Sequence, residues 1–440
     1  MGGQHVLDLS DRLLRGETTV EEVHPVVVDG DLDEVGDGVA FIPAFGNISA
    51  FTVDGSLLLV DTGNQFRARA NYDRVRGWSD LPVDTVVYTH GHIDHVFGLG
   101  PFEEEADAAG RPRPRVIAHE LVPARFDRYK LTAGYNGVIN ARQFSAPGFQ
   151  WPTDYRYPDE TYTGRRDLDV GGQRFELHHG KGETDDHTWV WLPDRKVLCT
   201  GDLFIWASPN CGNPQKVQRY PREWAQALRE MAALGPELML PGHGWPIAGA
   251  DRIRQALVDS ADLLDSLVDQ TLELMNAGAR LDEIVHTVEA PPDLLEKPYL
   301  RPVYDEPEFV VRTVWRLYGG WYDGNPAHLK PAPEAALARE LAELAGGAQR
   351  LADRAAALAA DGDLRLAGHL AELAAQAAPA DAGVHAVRAA VYAQRAGEEL
   401  STMSRGIFSA AAAESQAKAG GAGTGGERTA GEGAAGEAGR

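Results

Sequence analysis

The segment THGHIDH, residues 89–95, constrains the fold of this chain more than any other feature. It follows the apolar run VDTVVY, which has the composition of a β-strand. Histidines at i and i+2, followed by aspartate and histidine at i+4 and i+5, do not share one face of a helix. They fit a loop at the end of a strand, where imidazole and carboxylate groups can surround ions of the zinc type. We therefore predict that His90 and His92 serve one ion, and that Asp94 and His95 serve a second.

Two metal ions need further ligands, and three more polar residues follow strand-like runs. His187 lies in GETDDHTWVWLP, Asp202 lies in KVLCTGDLF, and His243 lies in LMLPGHGWP. The carboxylate of Asp202 has two oxygens and can bridge two ions. The predicted metal ligands are His90, His92, Asp94, His95, His187, Asp202 and His243. Asp94 and Asp202 are also the predicted catalytic residues.

Composition limits the classes of partner. The net charge is −23, with 42 basic and 65 acidic side chains, and this disfavours a nucleic-acid partner, which needs clustered basic residues. The two cysteines cannot form a disulfide framework, which is typical of a cytoplasmic protein. No stretch approaches the roughly 18 apolar residues of a membrane span. We expect a cytoplasmic protein with a small-molecule substrate and no membrane partner.

The 440 residues predict more than one domain, because single cores stop growing well below this length. Short apolar runs and Gly-rich turns alternate up to about residue 246, which predicts an α/β domain over residues 1–250. A helical linker and junction is predicted over 251–330. Ala- and Leu-rich helical hairpins are predicted over 331–415, with breaks at Gly346–Gly347, Asp361–Gly362 and Pro379. The Gly/Ala-rich residues 416–440 are predicted to be disordered.

The motif order resembles the metallo-β-lactamase superfamily over roughly Val26 to Gly249. This resemblance implies an αββα sandwich, with two β-sheets packed together and helices on both outer sides. It also implies a supporting role for Asp61, in the sequence DTG, and for Thr89 beneath the metal loop.

A narrower resemblance links the second half of the chain to the alkyl sulfatases. LYGGWYDGNPAHLKPAP, Leu317 to Pro333, is similar to the junction into their dimerisation domain, and the helical hairpins that follow resemble that domain. The resemblance implies a homodimer. Alkyl sulfatases have glutamates where this chain has His187 and Asp202. Glu183 matches a glutamate of their sequence, but we prefer His187 as the ligand.

These resemblances imply a dinuclear, metal-dependent hydrolase that uses a metal-bound hydroxide on a small organic ester, as alkyl sulfatases do. The expected cofactor is two zinc ions, with iron or manganese as alternatives. A thioesterase or lactonase, or an iron-containing redox protein of the same fold, is the alternative function. Candidate substrate-binding residues are Tyr129, Tyr135, Asn136, Lys216 and Arg219. The aromatic segment Val122–Gly164 either lines the substrate pocket or packs against the sandwich.

Overall fold

The computed structural model describes residues 6–26 and 28–420. They form two compact units. The first extends to Leu329 and includes Leu400–Met403, and the second contains Lys330–Glu399 and the residues from Ser404. No helix of the described residues is long and apolar enough to cross a membrane.

The first unit contains two mixed β-sheets. The strands of the seven-stranded sheet, in spatial order, are β1 (Asp33–Gly36), β2 (Val39–Ile42), β3 (Ile48–Val53), β4 (Ser56–Val60), β5 (Val83–Val87), β6 (Arg115–His119) and β7 (Glu160–Tyr162). Those of the six-stranded sheet are β8 (Arg165–Val170), β9 (Gln173–His179), β10 (Thr188–Leu192), β11 (Val197–Gly201), β12 (Leu238–Pro241) and β13 (Ile247–Ala248). The spatial order of this second sheet is β13-β12-β11-β10-β9-β8.

The alternation of side chains along the strands creates two cores. In β4, Leu58 and Val60 belong to the core that also contains residues of the second sheet, whereas Leu57 and Leu59 face the opposite core. Phe51 of β3 and Phe175 of β9 meet edge to face, with ring centroids 5.6 Å apart, and so join the two sheets. The sheets therefore form the predicted sandwich.

Helices cover the outer sides of the sandwich. Those of the first unit are α1 (Val6–Leu14), α2 (Ala68–Trp78), α3 (Ile93–Val96), α4 (Gly100–Ala108), α5 (Val122–Leu131), α6 (Ala133–Gln143), α7 (Pro221–Ala233), α8 (Ala250–Asn276), α9 (Leu281–Thr287), α10 (Pro292–Leu295), α11 (Pro307–Gly319) and α12 (Pro326–Leu329). Ile253, Leu257 and Leu264 of α8 are fully buried and belong to the core that also contains residues of both sheets and of α7. Residues 251–329 are thus part of the first unit rather than a linker.

The helical hairpins follow. They are α13 (Glu334–Ala345), α14 (Ala348–Ala360), α15 (Leu364–Ala377), α16 (Ala382–Glu398) and α17 (Thr402–Gly420). The side chains of Asp363 and Asp381 cap α15 and α16 by accepting hydrogen bonds from backbone N–H groups of the first turns. The predicted breaks separate these helices. Because α17 continues to Gly420, residues 416–420 are helical instead of part of a disordered tail, and residues 421–440 lie outside the described residues.

Strand direction brings the polar motifs together. β4 and β5 are parallel neighbours in one sheet, and β11 and β12 are parallel neighbours in the other. Parallel neighbours end at the same edge of a sheet. Asp61, the THGHIDH loop, Asp202 and His243 follow the carboxyl ends of these four strands, and they meet at one edge of the sandwich.

Candidate metal centre

The THGHIDH loop turns from β5 into the short helix α3. His92 occupies the position before the helix with an extended backbone, φ −72° and ψ 147°, whereas Asp94 and His95 lie within the helix. This change of backbone direction spreads the side chains around a centre. His90 and His95 are fully buried, and His92 and Asp94 are partly exposed.

Four side chains form a first group of potential ligands, His90, His92, Glu183 and Asp202, with ligand atoms all within 4.8 Å of one another. His90 Nε2 lies 3.6 Å from Asp202 Oδ2 and 4.0 Å from Glu183 Oε2. His92 Nδ1 lies 3.7 Å from the same Glu183 oxygen. The Nε2 atom of His90 and the Nδ1 atom of His92 lie 2.7 Å apart, so the four ligand atoms surround one centre.

Asp94, His95 and His243 form a second group. The Oδ2 atom of Asp94 lies 3.6 Å from His95 Nε2 and 3.5 Å from His243 Nε2. Asp202 reaches this group as well, since its Oδ1 lies 3.2 Å from His95 Nε2 and its Oδ2 lies 3.2 Å from His243 Nε2. Asp202 therefore lies between the two groups, within 3.6 Å of members of both, and its bridging role stays a prediction.

The donor set fits a pair of metal ions. Among the described residues, the buried Glu183 Oε2 has no hydrogen-bond partner, and the buried His95 Nε2 and Asp202 Oδ1 lie 3.2 Å apart without hydrogen-bond alignment. Burying such atoms without a partner is costly, and a bound cation removes that cost. Burial also holds the pKa of His90 and of His92 well below the usual range, so both imidazoles are neutral, which is the form that binds metal.

The two carboxylates shared by the groups have opposite pKa shifts. Burial raises the pKa of Glu183 well above its usual range. Burial acts in the same direction on Asp202, but the imidazoles of His243 and His95 outweigh it and hold the pKa of Asp202 well below its usual range.

His187 lies beside the first group rather than within it. Its Nε2 accepts a hydrogen bond of 3.0 Å from the backbone N–H of Asp202, and its ring stacks on His90 with centroids 4.9 Å apart. Burial lowers the pKa of His187 to about 3, so the ring is a neutral acceptor. Glu183 occupies the place that the sequence analysis gave to His187. The signal for Glu183 was an acidic residue in the Gly-flanked turn before β10.

Arg219 and Asn210 fix the orientation of Glu183. The Nη1 atom of Arg219 lies 2.8 Å from Glu183 Oε1 and also donates to the Glu183 carbonyl oxygen at 2.6 Å. Asn210 donates its side-chain N–H to Oε1. These contacts occupy one carboxylate oxygen and leave Oε2 for the first group. Arg219, which was predicted to bind the substrate, thus contacts mainly Glu183, a potential metal ligand.

Asp61 supports the loop from below. Its Oδ1 accepts the Thr89 backbone N–H at 2.7 Å, and its Oδ2 accepts the Thr89 hydroxyl at 2.7 Å. The same Oδ2 lies 2.8 Å from His95 Nδ1. This contact turns Nε2 of His95 toward the second group, the arrangement that orients metal-binding histidines.

A second support was missed by the sequence analysis. Asp186 is fully buried, and its Oδ2 accepts the backbone N–H of Gly91, between the first two histidines, at 3.1 Å. The Nε atom of Arg125 lies 2.9 Å from Asp186 Oδ1, and Arg125 also pairs with Asp185. In the sequence, the only indication of this contact is the Asp185-Asp186 pair before His187, because Arg125 lies in a helix that is far away along the chain.

Two glycines allow close packing around the groups. Gly46 has φ 82°, and a Cβ atom there would lie 2.0 Å from the carbonyl oxygen of Asp94. A Cβ atom at Gly242 would lie 2.1 Å from Asp202 Oδ1. Larger residues at either position would displace a potential ligand.

A cavity of about 330 Å³ opens onto both groups. One wall is apolar and is formed by Phe45, Phe66, Ile93, Phe144, Ala146, Phe149, Trp151 and Ile205. The polar end adds Asn140 and Lys216, whose Nζ lies 3.4 Å from Asn140 Oδ1. Burial, together with the nearby charge of Arg219, lowers the pKa of Lys216 to about 8. This cavity, here called the main cavity, can accept an apolar group with an anionic end.

The remaining predicted substrate residues lie elsewhere. Tyr129, Tyr135 and Asn136 do not line the main cavity but a smaller neighbouring one. Tyr129 and Asn136 are buried, whereas Tyr135 is 63% exposed.

Comparisons with known proteins match both parts of the chain. Residues 42–243 match the family model of the metallo-beta-lactamase superfamily, and residues 280–418 match that of alkyl sulfatase dimerisation. A linear primary-alkylsulfatase of Pseudomonas sp. (strain ATCC 19151) is 30% identical over 336 residues, covering 71% of this chain and 62% of that protein. An (R)-specific secondary-alkylsulfatase of Pseudomonas sp. is 28% identical over 395 residues, covering 84% of this chain and 59% of that protein.

The fold comparison agrees. The solved structure of the stereoselective inverting sec-alkylsulfatase Pisa1 from Pseudomonas sp. superposes with a TM-score of 0.79 at 26% identity. The match covers 88% of this chain and 65% of that one. This chain spans 62% and 59% of the length of the two curated relatives.

Proposed function

Since the chain joins a metallo-beta-lactamase superfamily domain to an alkyl sulfatase dimerisation domain, we propose that it is a dinuclear, metal-dependent hydrolase of sulfate esters of apolar alcohols. One observation carries this proposal: two groups of potential ligands share Asp202 at the polar end of an apolar cavity. The similarity to alkylsulfatases supports the choice of ester.

The residues divide between two ions. His90, His92, Glu183 and Asp202 would bind one, and Asp94, His95 and His243 would bind the other together with Asp202. Bound ions of this kind lower the pKa of water and polarise an ester oxygen. Imidazole and carboxylate ligands support zinc as the native metal.

The protein supplies binding and orientation. The Lys216 ammonium and the Asn140 amide would bind the anionic end of the ester by charge-assisted and neutral hydrogen bonds. The apolar wall would bind the alcohol part and exclude water from the polar end. Burial raises the pKa of Tyr304 well above its usual range, so its phenol keeps its proton at the cavity edge.

The second unit supports a homodimer. Leu337, Leu341 and Leu344 recur at i, i+4 and i+7 of α13 and are 54%, 36% and 84% exposed. Such a stripe is typical of a helix that packs against a partner. We propose a second copy of this chain as that partner.

The test combines metal analysis with a substrate panel. The purified protein is expected to contain about two zinc ions per chain and to hydrolyse a primary alkyl sulfate in preference to an alkyl thioester or a lactone. His92→Ala should lose metal and turnover together, whereas His286→Ala, at an exposed histidine of α9, should retain both. Turnover of the thioester or lactone alone would reject the sulfate-ester assignment, and iron in place of zinc would favour the redox alternative.

A further inference from the structure

The loop formed by residues 208–213 carries two side chains that line the main cavity, Asn210 and Asn213. Asn210 donates a hydrogen bond to Glu183 Oε1, and Asn213 donates one to Gln143 Oε1 at 3.4 Å. All six residues of the loop are buried, although none belongs to a helix or a strand. A buried irregular segment needs partners elsewhere in the chain for its backbone N–H groups.

Two of those partners lie in the segment that precedes α11. The Ser208 N–H donates to the carbonyl oxygen of Arg301 at 3.0 Å, and the Gly212 N–H donates to Asp305 Oδ2 at 2.5 Å. The loop packs so closely here that a Cβ atom at Gly212 would lie 2.4 Å from backbone atoms of residues 309–310 in α11. A larger residue at this position would have to displace the loop.

Asp305 is a carboxylate with no exposed surface. Its Oδ1 accepts the backbone N–H of Glu306 at 2.8 Å, and among the described residues no cation forms an ion pair with it. Burial raises the pKa of Asp305 to about 7. Burying a carboxylate without a cationic partner is costly, and an apolar residue would avoid that cost. What the carboxylate adds here is its hydrogen bond to Gly212.

The backbone that carries Asp305 is held in turn by two residues of the first unit that follow α16. The Thr402 N–H donates to the carbonyl oxygen of Val303 at 2.9 Å, and the Ser401 hydroxyl donates to that of Tyr304 at 2.8 Å. These bonds fix the two residues before Asp305. The carboxylate can therefore hold the loop in one position.

We propose that Asp305 is a positioning residue of the candidate metal centre: by holding Gly212 it places Asn210 against Glu183, which directs the other Glu183 oxygen to the first group. Asp305 is not a potential ligand and does not line the main cavity, so it acts through the loop. This role rests on the proposed metal centre, whereas the hydrogen bond between Asp305 and Gly212 does not.

The first test is competition for zinc between a chelator and the full-length, metal-loaded protein. Asp305→Asn should weaken zinc binding about tenfold, because its amide N–H would face the backbone N–H of Gly212 or of Glu306. Asn210→Ala should weaken it by a similar factor. The double variant should bind zinc as tightly as either single variant, since both substitutions act on Glu183 by the same route.

Asp259→Asn is the matched control. Asp259 is also a buried carboxylate of the first unit and accepts hydrogen bonds from Gln255 and Tyr299, but it belongs to neither ligand group and does not line the main cavity. This variant should have a lower free energy of unfolding in urea and the zinc affinity of the unmodified protein.

The second test needs no metal. Amide hydrogen exchange over residues 208–213 of the metal-free protein should be faster in Asp305→Asn than in the unmodified protein, and unchanged in Asp259→Asn. Gly212→Ala, which displaces the loop but keeps the carboxylate, should reproduce both the faster exchange and the weaker zinc binding.

The outcomes separate the possible failures. Faster exchange with unchanged zinc affinity in Asp305→Asn would overturn the positioning role, as would an equal loss of affinity in Asp259→Asn. A loss of about a hundredfold in the double variant would show that Asp305 and Asn210 act independently and would overturn it too. If the unmodified protein binds no zinc, the metal centre and the positioning role both fail, whereas the exchange result still decides whether Asp305 holds the loop.

Discussion

At the scale of single residues, the candidate metal centre depends on side chains that orient other side chains. Glu183 offers one oxygen to the first group because Arg219 and Asn210 occupy the other. Asp61 turns His95 toward the second group. Each of these buried contacts restricts a ligand to one rotamer, and such restriction raises metal affinity.

The first prediction separates Glu183 from His187. Glu183→Gln should reduce the metal content from about two ions to about one per chain, because an amide is a much poorer ligand than a carboxylate. His187→Gln should retain both ions, since an amide oxygen can still accept the N–H of Asp202. Elemental analysis of both variants checks this. Loss of metal in His187→Gln with full metal in Glu183→Gln would restore the original assignment of His187.

The second prediction concerns Asp186. Asp186→Asn should weaken metal binding about tenfold or more, because the Gly91 N–H and Arg125 lose a charged acceptor beside the loop. The matched control is Asp185→Asn, whose carboxylate also pairs with Arg125 but is 40% exposed. Competition with a chelator measures both affinities, and equal effects in the two variants would contradict a positioning role for Asp186.

At the scale of elements, the two sheets are joined by stacked rings as well as by apolar side chains. His119 ends β6 in one sheet and His179 ends β9 in the other, and their rings stack with centroids 3.8 Å apart. Burial, followed by the charge of the neighbouring ring, lowers the pKa of His119 to about 4. Burial also lowers the pKa of His179. The packing therefore requires neutral imidazoles.

The third prediction follows from these shifts. Both folded-state pKa values lie below the usual histidine value. Between about pH 6.5 and about pH 4 the unfolded chain therefore binds more protons than the folded protein. The contribution of these two neutral imidazoles to the free energy of unfolding is fully present above this pH window and is lost as the pH falls through it. His119→Gln should reduce this loss by on the order of 2 kcal/mol, after allowance for screening near the strand ends. Urea unfolding at both ends of the window measures it. His286→Gln, on the surface, should behave as the unmodified protein, and an unchanged slope in His119→Gln would refute the prediction.

At the scale of the whole molecule, the helical hairpins form a unit with small cores. Ala355, Ala367 and Ala371 are fully or almost fully buried where α14 and α15 meet, and their small side chains bring these helices close together. The leucines at 337, 341 and 344 remain exposed in the single chain. An apolar stripe of this kind is costly in water, and a second chain would bury it.

The fourth prediction tests this surface. Leu344→Asp should shift the sedimentation of the protein from dimer toward monomer, because it places a charge in the proposed interface. Leu131→Asp is the matched control, since Leu131 is 86% exposed but lies on α5 of the first unit. Metal content should be unchanged in both variants. A monomeric unmodified protein, or equal sedimentation of the two variants, would reject α13 as the interface.

The sequence by itself determined the sandwich, the breaks between the helical hairpins and most of the side chains that the fold brings together in the two groups of potential ligands. Alternating apolar residues specify which face of a strand is buried. A polar motif directly after a strand is placed at the edge of the sheet where that strand ends. The cytoplasmic location stays a prediction from cysteine usage. The sequence alone did not decide whether Glu183 or His187 joins the first group of potential ligands. Both lie in the same turn, and only packing determines which side chain faces the other potential ligands.

Tertiary structure alone decided the contacts between distant segments. Arg125 and Asp186, or Arg219 and Glu183, are separated by tens of residues, and no local pattern relates them. The same holds for the predicted substrate-binding residues: Tyr129 and Asn136 lie in the aromatic segment, but the direction of α5 and α6 turns them to the smaller cavity beside the main one. Helix periodicity predicts which residues share a face, but the position of that face depends on how the helix packs against the rest of the chain.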